Sequence, residues 1–191
     1  TGFAMMCETN PQEVMDLAPV AHLAAIEGKV PFLNFFDGFR TSHEIQKVAV
    51  WDYADLKEMC NMDAVAAFRK HALNPEHPAM RGSHENGDIF FQHREACNKF
   101  YNELPAVVEK YMGKVNEKLG TNYQLFNYYG APDADRIIIA MGSICDVAEE
   151  VIDYMNAHGE KVGIVKVRLY RPFCSDKLVA AIPATAKKIA V

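Results

Sequence analysis

The sequence predicts an α/β protein built from parts of two three-layer domains with parallel sheets. In the first part, an amphipathic helix pattern is followed, after a short turn, by the continuous apolar run 31–36. A helix that leads into a fully apolar strand is typical of a parallel sheet covered on both faces. In the last third, strand and helix patterns alternate as β-α-β-α-β, for which right-handed crossovers are expected.

The first helix has clear start and stop signals. Asn10 is a typical N-cap, Pro11 stands at the first helical position, and Glu13 follows three residues after the cap. Gly28 is a natural end for the helix. Pro19 lies inside it and is expected to cause a kink, because proline removes one backbone donor.

The middle of the chain is predicted to be more irregular. Residues 48–51 are a possible short strand, and helices are predicted near 53–60 and 64–72. The proline- and glycine-rich stretch 74–88 predicts a loop long enough to be functional or to pack on a neighbour. A helix with regularly spaced apolar residues is predicted to begin at Pro105 and to end before Gly120.

The last part of the chain has the clearest pattern. Residues 123–129 are rich in aromatics without a helix or strand period, and 130–133 resemble a linker. After it, the strands are predicted at 136–141, 162–167 and from 189 onward, and the helices at 145–156 and 175–182. These patterns predict a boundary between residues 1–129 and 130–191.

A doubly wound unit that stops at its third strand leaves an edge unpaired, and the chain opens on Thr1 without an initiator Met, so we expect a piece of a longer protein.

Composition excludes several classes of function. The net charge is −5, with 20 basic and 25 acidic side chains and no basic run, so no nucleic-acid partner is expected. Five scattered cysteines without a CxxC pair indicate free thiols in a reducing, cytoplasmic compartment, and neither a zinc nor an iron–sulfur site of the chain's own. The histidines match no zinc spacing, and no metal site is predicted. No apolar stretch approaches the ~20 residues that a membrane span needs, and no signal peptide is visible.

The densest polar cluster follows the predicted strand at 31–36. Asp37, Arg40, His43 and Glu44 should lie at the carboxyl end of that strand, where open α/β sheets place ligands. These side chains could do acid–base or carboxylate-binding work. An Asp-Gly turn, a helix cap at Ser42 and a surface ion pair explain the same residues equally well, so both interpretations stay open.

Two further places could bind an anion. Gly142 and Ser143 lie at a predicted strand-to-helix turn, where backbone N–H groups point outward. Because the chain has no glycine-rich phosphate motif, we favour an ordinary N-cap made by Ser143. Arg168 could pair with acidic groups or bind a phosphate, although such an arginine more often anchors a strand end or a domain interface.

Several segments together carry a resemblance to a known family. They are residues 1–5, 12–16, 31–47 (PFLNFFDGFRTSHEIQK), 74–78, 130–134 and 165–173 (VKVRLYRPF). In this order, and over essentially the whole chain, the sequence resembles the pyruvate:ferredoxin (flavodoxin) oxidoreductases. Within these segments, FFDGFRTSHEIQK (35–47) and KVRLYRPF (166–173) are specific to that family.

The resemblance implies a fold and an activity. Residues 1–129 would be the later part of a thiamine pyrimidine-binding-like domain, and residues 130–191 the first half of a transketolase C-terminal-like domain. The family's enzymes are multidomain cytoplasmic homodimers that convert pyruvate and coenzyme A into acetyl-CoA and carbon dioxide, and that reduce ferredoxin or flavodoxin. Their cofactors are thiamine diphosphate, magnesium and 4Fe-4S clusters.

The family's catalytic motifs are not found in this chain. Its thiamine-activating carboxylate and pyruvate-pocket residues lie upstream of Thr1, and the diphosphate-binding motif and cluster cysteines lie downstream. We therefore carry over no catalytic residue and expect no cofactor bound by this segment alone. Asp37, Arg40, His43 and Glu44 are expected to shape the cofactor cleft or the dimer contact. The alternatives are a non-enzymatic binding or assembly module of the same fold, or a sister 2-oxoacid:acceptor oxidoreductase, although run 31–47 favours the pyruvate branch.

Overall fold

The computed structural model describes residues 2–80, 82 and 84–191. Thr1, with which the first resembling segment begins, and two residues of the predicted 74–88 loop lie outside the described residues. The elements before residue 120 are β1 (Ala4–Cys7), α1 (Pro11–Gly28), β2 (Phe32–Phe35), α2 (Arg40–His43), α3 (Tyr53–Met59), α4 (Met62–Lys70), α5 (Phe90–Ala96) and α6 (Asn98–Leu119). Those after it are β3 (Phe126–Gly130), β4 (Arg136–Ala140), α7 (Ile144–Ala157), β5 (Val162–Val167), β6 (Leu169–Arg171), α8 (Ser175–Ala181) and β7 (Lys188–Ala190).

Two mixed sheets confirm the α/β class. The first has the order β2-β1-β6, with β1 parallel to β2 and antiparallel to β6. The second has the order β3-β5-β4-β7, in which β4 is parallel to both β5 and β7 while β3 is antiparallel to β5. Parallel pairing is therefore predicted correctly for the central strands, and each sheet adds one antiparallel edge strand. Strand β6 comes from the second part of the chain but completes the sheet of the first.

The segment predicted to be irregular, 123–129 with its linker, instead forms most of β3. Its aromatic side chains occupy both faces of the strand, which hides the period of two: Tyr128 packs on the larger core and Tyr129 on the smaller cluster. Gly130 ends the strand with φ +128°, and a Cβ there would lie 2.5 Å from the carbonyl oxygen of Val162. The glycine is thus required by the close approach of β5, which explains why this residue resembles a linker in the sequence.

The strand predicted at 48–51 does not form. The backbone N–H of Ala49 donates to Gln12 Oε1 at 2.8 Å, and Trp51 Nε1 donates to the carbonyl of Met15 at 3.0 Å. Both Gln12 and Met15 belong to α1. Residues 48–51 therefore form hydrogen bonds with this helix and not with a neighbouring strand. The long helix α6 also begins earlier than predicted, at Asn98, and continues across Pro105.

One hydrophobic core spans both parts of the chain. It brings together apolar side chains of α1 and α6, one face of β1, and the strands β3 to β6; its members include Met6, Leu17, Val20, Leu104, Val108, Tyr111, Met112, Ile137, Val165 and Leu169. A smaller cluster packs α7 on β5 through residues that include Cys145, Ile152 and Ile164. Because the larger core crosses residue 130, the two parts stabilise each other. Among the described residues, no helix is both long and apolar enough to cross a membrane.

Candidate functional site

The polar cluster that follows β2 faces the turn between β4 and α7. The two segments enclose a cleft of about 570 Å³, which we call the α2–α7 cleft. It is lined by Thr9, Phe39, Arg40, His43, Glu44, Ser143, Asp146, Val147 and Glu150. Both walls come directly after the carboxyl ends of parallel strands, the position at which α/β proteins bind ligands. The structure thus brings together two regions that the sequence singles out separately.

The N-terminus of α7 is capped by a residue from the other wall. The backbone N–H of Ser143 donates to Asp37 Oδ2 in a short hydrogen bond, whereas the side chain of Ser143 makes no capping bond. Gly142 has φ +81°, and a Cβ on it would lie 2.8 Å from Asp37 Oδ1, so only glycine fits beside this carboxylate. The predicted cap by Ser143 is therefore wrong. The helix terminus already holds an anion, and that anion is the side chain of Asp37.

The other three predicted residues line the α2–α7 cleft from one side. Arg40, His43 and Glu44 are all exposed, and no ion pair involves Arg40 within the part of the chain that the structure describes. Ser42 Oγ lies 3.0 Å from His43 Nδ1 and accepts the backbone N–H of Phe39 at 2.8 Å. Ser42 therefore helps to cap α2 from its third helical position, by accepting the backbone N–H of the N-cap residue Phe39. Asp37 bonds to α7 and not to His43, so these residues do not form an acid–base pair.

A buried ion pair lies next to this cleft. Arg168 Nη2 lies 2.5 Å from Glu13 Oε1, and both side chains are almost completely buried. Burial alone would raise the pKa of Glu13, but Arg168 and the backbone N–H of Thr9, 3.0 Å from Glu13 Oε2, hold that pKa below its usual value. Arg168 also donates to Asn127 Oδ1, and its guanidinium lies 5.2 Å from the centre of the Tyr123 ring. Arg168 thus joins α1 to β3 and to the β5–β6 junction, which confirms the interface interpretation rather than a phosphate site.

A second buried carboxyl was not predicted from the sequence. Glu8, one residue after β1, is 0% exposed, and neither of its side-chain oxygens has a hydrogen-bond partner among the described residues. Burial, followed by the nearby carboxylate of Glu13, raises the pKa of Glu8 to about 9. The available signal was a glutamate directly after the apolar run AMMC of β1, where a side chain is carried into the core.

The buried thiols do not add a reactive group. Burial raises the pKa of Cys7 and of Cys145 to about 12, so both stay protonated and un-nucleophilic at neutral pH. In the described ranges, no three His, Cys, Asp or Glu side chains come together in a way that could hold a metal ion.

Two larger hollows on α1 are almost entirely apolar. One, of about 740 Å³, lies between α1, β2 and α4, and the other, of about 790 Å³, between α1 and α3. His22 lines both hollows, and Asn34 lines the first. Lys29 and His71 also line the first hollow, but among the described residues no Asp or Glu lines either one, so neither hollow pairs an acid with a base.

Two family descriptions match the chain. The one named pyruvate flavodoxin/ferredoxin oxidoreductase, thiamine diphosphate-binding, matches residues 1–113. The one named pyruvate:ferredoxin oxidoreductase core domain II matches residues 134–191. Together they cover every strand of both sheets except β3.

Several curated proteins are similar over the whole chain. It is 59% identical to a pyruvate-flavodoxin oxidoreductase of Enterobacter agglomerans and 53% identical to the pyruvate:ferredoxin oxidoreductase of Moorella thermoacetica. In both, it spans 16% of the relative's length. A pyruvate dehydrogenase [NADP(+)] of Cryptosporidium parvum is 47% identical, and the chain spans 10% of it.

A solved structure shares the fold. The 2-oxoglutarate:ferredoxin oxidoreductase of Magnetococcus marinus, with 2-oxoglutarate, coenzyme A and succinyl-CoA bound, aligns with a TM-score of 0.52. The alignment covers 97% of this chain and 34% of that one, at 18% sequence identity. At that identity the likeness supports the architecture alone.

Proposed function

The chain belongs to the pyruvate flavodoxin/ferredoxin oxidoreductase family, and we therefore propose that it is part of an enzyme that oxidatively decarboxylates pyruvate. The products would be acetyl-CoA and carbon dioxide, with coenzyme A as the acyl acceptor and flavodoxin or ferredoxin as the electron acceptor. The observation that carries the proposal is the 59% identity over all 191 residues to a pyruvate-flavodoxin oxidoreductase.

The relatives also indicate which part of the activity this segment accompanies. Pyruvate is common to their names, whereas the named acceptors are flavodoxin, ferredoxin and NADP(+). Identity stays between 47% and 59% across these acceptors. The segment therefore goes with the pyruvate half of the reaction, and the acceptor is chosen elsewhere in the enzyme.

The thiamine diphosphate, magnesium and 4Fe-4S clusters of such an enzyme would be held by other segments. A diphosphate does not fit the α2–α7 cleft, because Glu44, Asp146 and Glu150 line it and Asp37 already occupies the N-terminus of α7. We derive no catalytic step from the residues of this chain.

The role proposed for this segment is to form one wall of an interface. Arg40, His43, Glu44 and the 82% exposed Phe39 line the α2–α7 cleft and are open to solvent, so they can shape the cofactor cleft or the contact between two subunits of a homodimer. Asp37 would support them by tying this wall to α7.

The two family matches support a division into 1–129 and 130–191, and the free thiols suit a cytoplasmic enzyme.

A segment exchange tests this function. The matching segment of the full-length Enterobacter agglomerans enzyme is replaced with this chain, and pyruvate- and coenzyme A-dependent reduction of flavodoxin is measured. We expect the chimera to keep activity with pyruvate. An assembled chimera that is inactive would favour the non-enzymatic module, and activity with another 2-oxoacid in place of pyruvate would favour a sister enzyme.

The same chimera tests the predicted residues. Exchange of Arg40 and His43 for Ala is expected to lower turnover or dimer assembly, whereas exchange of the exposed His158 and Lys187, outside this wall, for Ala should leave both unchanged. Turnover and sedimentation that match the parent chimera after the Arg40/His43 exchange would show that this wall has no role.

A further inference from the structure

We propose that Glu8 is a buried proton-binding site, held as a neutral carboxylic acid at neutral pH, whose ionisation in alkaline solution loosens the contact between the two parts of the chain. The inference concerns the stability of this chain and does not depend on the activity proposed above.

The position of Glu8 leaves it no contact with water. It follows β1 directly, and its backbone N–H donates to the carbonyl of Phe35 at the end of β2, at 3.1 Å. On the other side, the N–H of Cys7 donates to the carbonyl of Arg168 at 2.9 Å. The side chain is therefore enclosed between β2 and the β5–β6 junction and is 0% exposed.

The positive charge near Glu8 is not enough to neutralise both Glu8 and Glu13. Glu13 faces it from α1, Arg168 faces it from the β5–β6 junction, and the neutral side chain of Asn34 faces it from β2. Arg168 is the one cation among these groups, and it is engaged by Glu13 at 2.5 Å. Lys166, more distant, acts on Glu13 and Cys145. A charged Glu8 would thus be a buried carboxylate beside a second one, without a cation of its own.

The hydrogen bonding of the Glu8 carboxyl also favours its neutral form. By strict geometry neither oxygen of Glu8 has a hydrogen-bond partner among the described residues, and only the Asn34 side chain and the backbone of Glu8 itself lie close enough to favour its charged form. A buried carboxylate with such weak hydrogen bonding is less stable than the neutral acid. Asn34 and Arg168 act to lower the pKa of Glu8, but burial and Glu13 outweigh them and raise it to about 9. Near that pH, Glu8 loses its proton and competes with Glu13 for Arg168, one of the side chains that join the two parts.

The sign of the pH dependence follows from this shift. The unfolded chain has the ordinary glutamate pKa of 4.5, so between 4.5 and about 9 the folded state holds a proton that the unfolded state has released. The contribution of Glu8 to stability is complete below pH 4.5 and is lost as pH rises through the folded pKa. In this window the folding equilibrium constant falls about tenfold per pH unit because of Glu8 alone.

The test compares urea unfolding of the 191-residue chain and of Glu8→Gln from about pH 6 to about pH 8. Gln has the shape of the neutral acid and cannot ionise. We expect the folding constant of the wild type to fall about tenfold more per pH unit than that of Glu8→Gln. Glu117→Gln, which changes an exposed carboxyl of α6, should keep the slope of the wild type. Equal slopes for the wild type and Glu8→Gln would overturn the proposal.

Two further measurements complete the test. The first uses the wild type alone and so holds even if Glu8→Gln does not fold, and the second follows the loosening of the contact between the two parts. The side-chain carboxyl ¹³C resonance of Glu8 in the wild type should keep the shift of a protonated acid at pH 7, and an ionised shift would overturn the proposal even without the variant. Amide exchange of β6, corrected for its intrinsic pH dependence, should lose protection above the pKa of Glu8. Unchanged protection would show that ionisation does not loosen the junction.

Discussion

Two regions of the molecule obtain their order in different ways. Helices α1 and α6 and strands β1, β4, β5 and β6 bury their apolar side chains in one core. The peripheral segment, residues 36–96, contributes Thr41 and Met59 as its only buried residues among those described, and neither α4 nor α5 buries a side chain. The core is therefore stabilised by apolar contacts within this chain, whereas the peripheral segment is shaped largely by helix caps and hydrogen bonds.

The apolar side chains of the peripheral segment support the same conclusion. They are exposed to a degree that is unusual for side chains of this size; examples are Ile45, Tyr53, Phe68, Leu73 and Met80. Exposed apolar surface of this extent marks an interaction site. The proposed role of this region in forming an interface of a larger enzyme is consistent with that surface.

The largest contrast between the regions is expected for buried and exposed arginines. Arg168→Ala leaves the buried carboxylate of Glu13 without its partner and should cost about 3–5 kcal/mol of unfolding free energy. Arg69→Ala, on the exposed surface of α4, should cost no more than about 0.5 kcal/mol. Urea unfolding at pH 7 measures both. A loss below about 1 kcal/mol for Arg168→Ala would show that water reaches the pair and that the junction is not part of the core.

A matched pair of leucines provides the second contrast. Leu104 on α6 is 0% exposed and Leu73 in the peripheral segment is 72% exposed. Leu104→Ala removes core contacts and leaves a cavity, for a loss of about 2–5 kcal/mol. Leu73→Ala should stay within about 0.5 kcal/mol. Thermal or urea unfolding separates the two, and similar losses would mean that the peripheral segment packs more tightly in solution than the structure indicates.

The smallest effect is expected at the point where the peripheral segment joins the core. Burial opposes the ionisation of Glu27, but hydrogen bonds from Lys110, Tyr111 and the α4 N-cap Asn61 outweigh it and lower the pKa to about 2. Its contribution is therefore present above pH 4.5 and is lost as pH falls towards 2. Glu27→Gln should cost about 1.5–3 kcal/mol at pH 7 and remove this acid dependence, as followed by urea unfolding from about pH 6 to about pH 2.5.

A second glutamate serves as the control, because it separates the effect of losing the hydrogen bonds of Glu27 from the effect of losing one negative charge. Glu103→Gln changes an exposed carboxyl of α6 and should leave the acid dependence of the wild type intact. If Glu27→Gln kept that dependence as well, the attachment of the peripheral segment would not rest on this carboxylate.

Much of the fold can be predicted from local pattern. The strand at 162–167, the helix near 145–156 and the cap at Asn10 follow from periodicity and capping residues, and the structure confirms each. Strands β1, β3 and β6 were not predicted, because they are three to five residues long and two of them are antiparallel edges with partners far along the chain. Strand pairing of that kind is decided by tertiary packing rather than by local propensity.

The candidate site was predicted in part. Asp37, Arg40, His43 and Glu44 stand out as a polar cluster after a strand, and the structure places them at a cleft; their role stays a prediction. That Asp37 caps α7 could not be predicted, because it depends on how the two sheets meet. Glu8 was missed for a similar reason, since only the folded chain shows that it has neither water nor a cation.

The pairing of β1 with β6 determines when the sheet of the first part can be completed. Met5 is opposite Arg171, so β1 has no neighbour on that side until Arg171, far along the sequence, has been synthesised. Until then the β6-facing edge of the strand AMMC presents unpaired backbone groups, and such an edge favours aggregation. Pieces of this protein that end before residue 168 are therefore expected to associate or precipitate during expression, and the shortest usable recombinant piece is set by strand order rather than by the boundary near residue 130.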